Sequence, residues 1–131
     1  VAIDLEGLCV RNSAHCILLK VHDEAVLFAL SALLNSTPFI TRYQHLSGET
    51  RRVFPQIHIS TVKRLAVPRC LFDSLDELTI SLAREARSLC RIERHRAMST
   101  ERPNDVLDEK MREDKRASLE RIDELVLSWM K

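Results

Sequence analysis

The sequence predicts an α+β chain: a small sheet at the N-terminus, short helices and loops in the middle, and an antiparallel helical hairpin at the C-terminus. Three observations carry this expectation. Gly7 and Gly48 are the only glycines, while Leu, Arg and Glu are abundant, which favours helix over a turn-rich all-β chain. Residues 8–20 concentrate apolar and β-branched side chains on either side of Arg11-Asn12-Ser13. From Asp73 onward the leucines recur at helical spacing.

Taken in order, residues 8–20 predict two short strands about that turn, the second running from His15 to Lys20. Asp23 is placed to cap a helix, with Glu24 favourable in its first turn. Val26, Leu27, Leu30, Leu33 and Leu34 extend that helix to about Asn35. Pro38 opens a second helix with Phe39, Ile40 and Tyr43 on its inner face, and Gly48 closes it. Residues 47–59 lack helical period and contain Gly48 and Pro55, so they predict an exposed loop. Ser60 is placed to cap one or two turns through Leu65, and Ala66-Val67-Pro68 predicts an extended segment.

The hairpin follows. Asp73 or Ser74 should cap a helix whose seam is Leu75, Leu78, Leu82, Leu89 and Ile92, with Glu85 at the missing heptad position. Residues 99–105 have the composition of a turn. A second long helix is expected from about Asp105, with Val106, Met111, Leu119, Ile122, Val126 and Trp129 on its apolar face and Leu125 alongside. The organisation expected is 1–72 as one unit and 73–131 as the hairpin.

Composition narrows the function. At 131 residues the chain is long enough to bury a core without disulfides or metal. The longest apolar run, Ala25–Leu34, is too short for a membrane span. The chain starts at Val1, not Met, and shows no secretory leader, so it is expected to be a piece of a longer protein. Cys9, Cys16, Cys70 and Cys90 form no C-x-x-C pair, so no metal site is expected, and free thiols fit a reducing cytoplasm. Two glycines cannot build a phosphate loop, a dinucleotide fingerprint or a G-x-S-x-G elbow. His15, His22, His45, His58 and His95 match neither H-x-x-x-H nor H-E-x-x-H, so no catalytic residue is assigned.

Charge distribution is more telling than net charge. Residues 37–70 carry Arg42, Arg51, Arg52, Lys63, Arg64 and Arg69 against Glu49 alone, a local net of +5 within a chain whose total is +1. Tyr43, Gln44, Phe54 and Gln56 are interleaved with these cations. Arginine and lysine neutralise phosphates, arginine pairs with guanine edges and glutamine with adenine edges, so Arg42, Arg51, Arg52, Gln56, Lys63 and Arg64 are the candidate DNA contacts. Lys63 and Arg64, at a short helix start, are expected on the phosphate backbone, and Arg51 and Arg52, in the loop, in a groove. The same charges would also suit a solvated loop. The competing functional reading is a helical protein–protein interaction module that docks a partner subunit through its hairpin.

Several segments together resemble a known family. Ala29-Leu30-Ser31-Ala32-Leu33-Leu34-Asn35-Ser36 resembles the "L–LLNS" helix of target-recognition domains. After it come an aromatic/basic helix (Phe39–Tyr43), a G-x-x-R loop (Gly48–Pro55) and a closing segment (Ile59–Pro68) in the family's order. Asn12–Ile17 is similar to the family's preceding strand and Ser118–Val126 to its closing "IDelV" helix. The chain departs from the pattern at Ala66, where the family favours proline, and at Ser128-Trp129, where it favours Leu-Tyr. The group it resembles is the C-terminal target-recognition (specificity) domain of TaqI-like adenine-N6 DNA methyltransferases and type II restriction–modification enzymes.

That resemblance implies sequence-specific recognition of double-stranded DNA on behalf of a methyltransferase domain in cis, with or without a fused endonuclease, in a prokaryotic cytoplasm. It implies a reader and not an enzyme. The family's Asn/Asp-Pro-Pro-Tyr motif needs adjacent prolines, and Pro38, Pro55, Pro68 and Pro103 are isolated. S-adenosylmethionine is then expected in the parent's catalytic domain and no cofactor in this chain.

Overall fold

Asp23 starts the first helix. In the computed structural model, which describes Ile3, Ile17, Lys20 and residues 23–48, 57–98 and 105–131 (side chains 96, 98 and 105–107 excepted), α1 spans Glu24–Asn35. The Asp23 carboxylate accepts from the N–H groups of Ala25 at 2.8 Å and Val26 at 3.2 Å, two donors that a helix start otherwise leaves unpaired. The Val26 bond above all, with the Ser74 hydroxyl second, holds this carboxyl below its ordinary range. Val26, Phe28, Ala29, Leu30, Ala32 and Leu33 are buried, so α1 is apolar on most of its circumference and sits inside the fold.

Ser36 joins α1 to α2 (Thr37–Ser47). Its backbone is extended (φ −69°, ψ 146°), which stops α1, and its hydroxyl donates to the Leu33 carbonyl at 2.7 Å and accepts from the Phe39 N–H at 3.4 Å. The two helices bend 60° apart there. The Thr37 N–H is taken up by Asp123 of the C-terminal helix at 2.8 Å. Phe39 is buried and Tyr43 half-buried, whereas Ile40 is 44% exposed and leaves the inner face on which the pattern placed it. Gly48 ends α2 with φ 68°, a left-handed cap that favours glycine.

α3 (Ile59–Val62) is a single turn. Its cap position is His58, without a side-chain bond, and the expected cap Ser60 lies inside the helix. Non-helical residues 66–68 lead to a 3₁₀ turn at Arg69–Phe72. α4 (Glu77–Met98) begins later than its leucines suggest. Asp76 supplies the start, accepting from the Leu78 N–H at 2.9 Å, while Asp73 bonds the Leu75 N–H at 2.9 Å and shapes the preceding turn. Leu75 therefore falls outside the helix and is 83% exposed.

α5 (Asp105–Met130) returns along α4. Stepping back along α4 from Glu93 to Glu85, the ion-pair partner moves forward along α5 from Lys115 to Arg121, which fixes an antiparallel hairpin. The buried line on α5 is Ser118, Ile122 and Val126, with Met111, Leu125 and Trp129 half-buried, and Leu119 turns outward. One apolar core joins Leu33 of α1, Phe39 of α2, Leu65, Leu71, Leu82 of α4 and Ile122 of α5. It runs across residue 72, where the two expected units meet.

The α+β expectation is corrected. The described residues are mostly helical, with no strand among them, so none of them forms the expected N-terminal sheet. Most of the expected strand region, 8–20, lies outside the described residues; Ile17 and Lys20 are described and neither is in a strand. A strand exists only by pairing with another. Residues 66–68, the other segment of extended character, serve as a connector between α3 and the 3₁₀ turn. Ile17 instead sides with an apolar groove of about 260 Å³ whose walls include Leu30, Leu34, Phe39 and Leu65.

Candidate nucleic-acid interface

The basic middle of the chain is built on α2 and on the stretch through α3. Arg42 lies on α2 and is exposed. Lys63 and Arg64 are also exposed, and they follow α3 at its C-terminal end, not at a helix start as the spacing implied. That end carries the negative pole of the turn, so cations there are favourably placed. Arg51, Arg52 and Gln56 lie outside the described residues.

Two contacts hold these pieces together. α2 packs against α3. The Tyr43 hydroxyl, on the residue after Arg42, accepts from the backbone N–H of His58 at 2.9 Å, pinning the entry to α3 onto α2. Sequence reasoning placed Tyr43 by its helical phase alone. Its pairing with a backbone donor fifteen residues away has no local signal.

The electrostatics are one-sided. Arg42, Lys63, Arg64 and Arg69 are all exposed, and among the described residues none has a carboxylate within ion-pair distance. By contrast Arg84, Arg87, Lys115, Arg116 and Arg121, on α4 and α5, all have acidic neighbours. Unpaired exposed cations keep their full charge available to an anion.

No group of three or more His, Cys, Asp and Glu among the described residues could hold a metal ion. Cys90 is exposed and Cys70 half-buried; burial first, then the Asp76 carboxylate, pushes the Cys70 thiol up and keeps it protonated. Among the described residues the groove is lined by Ile, Leu, Phe and Val side chains. No single helix among the described residues is long and apolar enough to cross a membrane. No family model, curated protein or solved structure matches the chain.

Proposed function

We propose that the chain recognises duplex DNA through the surface made by α2 and α3 together with residues 49–56 that connect them in the sequence, as the specificity region of an adenine-N6 DNA methyltransferase. The observation that carries the reading is the set of exposed cations Arg42, Lys63, Arg64 and Arg69, without an acidic partner among the described residues, with α2 tied to the start of α3 by the Tyr43–His58 contact. The family-like order of motifs from Ala29 to Val126 supports the same assignment. On this reading Arg42, Lys63 and Arg64 meet phosphates, while Arg51, Arg52 and Gln56 read bases. Methyl transfer and its donor belong to a catalytic domain in cis.

A second reading, a module that docks a partner protein, is favoured by the exposed Ile57, Ile59 and Phe72, the last of which lines the groove. A salt titration separates the two. Phosphate contacts release counterions, so log K falls linearly with log salt, whereas an apolar interface responds weakly. Arg42→Gln, Lys63→Gln and Arg64→Gln should each lower that slope by roughly one and weaken all duplex sequences about equally. Arg51→Ala with Arg52→Ala should instead cost about 1–3 kcal/mol on the cognate site and little on random DNA. Unchanged binding in both sets refutes the proposal.

A further inference from the structure

We infer that α4 carries a second nucleic-acid contact, an arginine ridge that lies along the phosphate backbone of a duplex; the inference deepens the DNA-binding proposal but stands on residues outside that site. Arg84, Arg87, Arg91 and Arg94 are spaced three, four and three residues apart. At 3.6 residues per turn this puts them within an arc of about 80°, along roughly 15 Å of helix. Arg84, Arg91 and Arg94 are exposed, and Arg87 sits at the rim, over the Phe28 ring at 5.0 Å and 4.0 Å from Glu24.

Both acids of the same stretch are engaged by α5. Glu85 is buried against α5 and bonded to Arg121 at 3.0 Å, and Glu93 is paired with Lys115 of α5. The hairpin thus engages Glu85 and Glu93 through α5; Arg84 shares Glu85 at 3.5 Å and Arg87 lies near Glu24. Arg91 and Arg94 have no acidic partner among the described residues. A solvated helix face usually mixes both signs at three- and four-residue spacing, and from Arg84 to His95 this one does not.

The chemistry favours a nucleic-acid backbone over an anionic membrane. The four cations are all arginine, whose planar fork meets a phosphate with two parallel hydrogen bonds. An interfacial helix would need an apolar face free to enter lipid, and the apolar face of α4 is spent on the core through Leu82, Ala83 and Ala86. Duplex DNA carries a charge every ~1.7 Å of its axis, so a 15 Å ridge spans more phosphates than it has arginines.

The test is the salt dependence of binding to a 20-base-pair duplex of arbitrary sequence, followed by fluorescence anisotropy. Arg91→Gln with Arg94→Gln should lower the slope of log K against log salt by roughly two and weaken binding on the order of tenfold at 0.1 M salt. Arg91→Lys with Arg94→Lys should keep the slope. Both positions are exposed, and an unchanged melting temperature confirms intact folding. A slope unchanged in the glutamine pair overturns the ridge. So does a loss confined to phosphatidylserine vesicles, which would mark a membrane surface. If the Arg42/Lys63/Arg64 glutamine set has no effect while the ridge pair does, the ridge stands and the α2–α3 surface falls. No duplex binding by the unaltered protein rejects both.

Discussion

Replacing Arg121 with alanine should cost far more than replacing its buried partner with leucine. Glu85 is 5% exposed, on the α4 face that meets α5, at the heptad position between Leu82 and Leu89. Its carboxylate meets Arg121 Nε at 3.0 Å and Arg84 Nε at 3.5 Å. Breaking a fully buried pair by deleting one partner costs about 3–5 kcal/mol, because a charge is left in low dielectric. Here Arg121 is half exposed and Arg84 remains, so about 1–3 kcal/mol is expected. For a chain of this size that lowers Tm by roughly 4–12 °C. Glu85→Leu removes the buried charge and completes the leucine seam, leaving Arg121 free to turn to water. Its stability should fall within about 1 kcal/mol of the unaltered chain, or above it.

Thermal denaturation of the two single variants and the double variant, followed by circular dichroism, forms a closed cycle. In the Glu85→Leu background, Arg121→Ala should cost only what the Arg121–Ser118 hydrogen bond supplies, about 0.5–1 kcal/mol. If Glu85→Leu destabilises as much as Arg121→Ala, or if Arg121→Ala costs the same in both backgrounds, the carboxylate is not held by that arginine in a desolvated site and the reasoning fails.

Further outcomes follow from the core, the caps and the turns. Leu82→Ala and Ile122→Ala remove side chains that are 0% and 2% exposed, and each should destabilise by about 2–5 kcal/mol in chemical denaturation; no change in either would mean that α4 and α5 are not packed as a pair. Asp23 has its pKa lowered in the folded chain by the Val26 N–H, so its contribution is complete above the ordinary carboxylate pKa and is lost as pH falls through the lowered folded value. The stability difference between the unaltered chain and Asp23→Asn should therefore shrink on acidification; a difference that persists unchanged at the acid end contradicts this. Gly48→Ala meets no neighbouring atom, so its only penalty is the left-handed backbone, about 1 kcal/mol by urea denaturation, and a stabilising effect would refute the cap.

Local chemistry was sufficient for the helix ends that depend on a single side chain. Asp23 and Gly48 were legible, because a cap acts on backbone groups within one turn and needs no tertiary partner, and the start of α5 near Asp105 followed from the turn composition before it. The hairpin was legible for a similar reason: its apolar residues recur every three or four positions, and a stripe of that kind must find a partner. The basic middle was legible as charge, since charge is read directly from residue type.

Tertiary structure decided what depends on a partner distant in the chain. The apolar run before Asp23 has the composition of a strand and lies mostly outside the described residues; pairing cannot be read from one segment, and the described fold is helical. Asp73, Ser74 and Asp76 are equivalent as caps by residue type; packing of the 3₁₀ turn, through the Thr79 hydroxyl to the Cys70 carbonyl at 3.0 Å, goes with the choice of Asp76. The phase of α5 shifted from Leu119 to Ser118 because the helix rotates to bring Ile122 and Val126 inward together. Tyr43 on His58, Asp123 on Thr37 and Arg121 on Glu85 join residues 15, 86 and 36 positions apart. The sequence by itself determined where the longer helices run, the caps at Asp23 and Gly48, and the sign of the exposed charge. Which faces meet, and hence which arginines are left without an acid, was settled only when the helices packed, because burial and pairing belong to pairs of segments and not to either one.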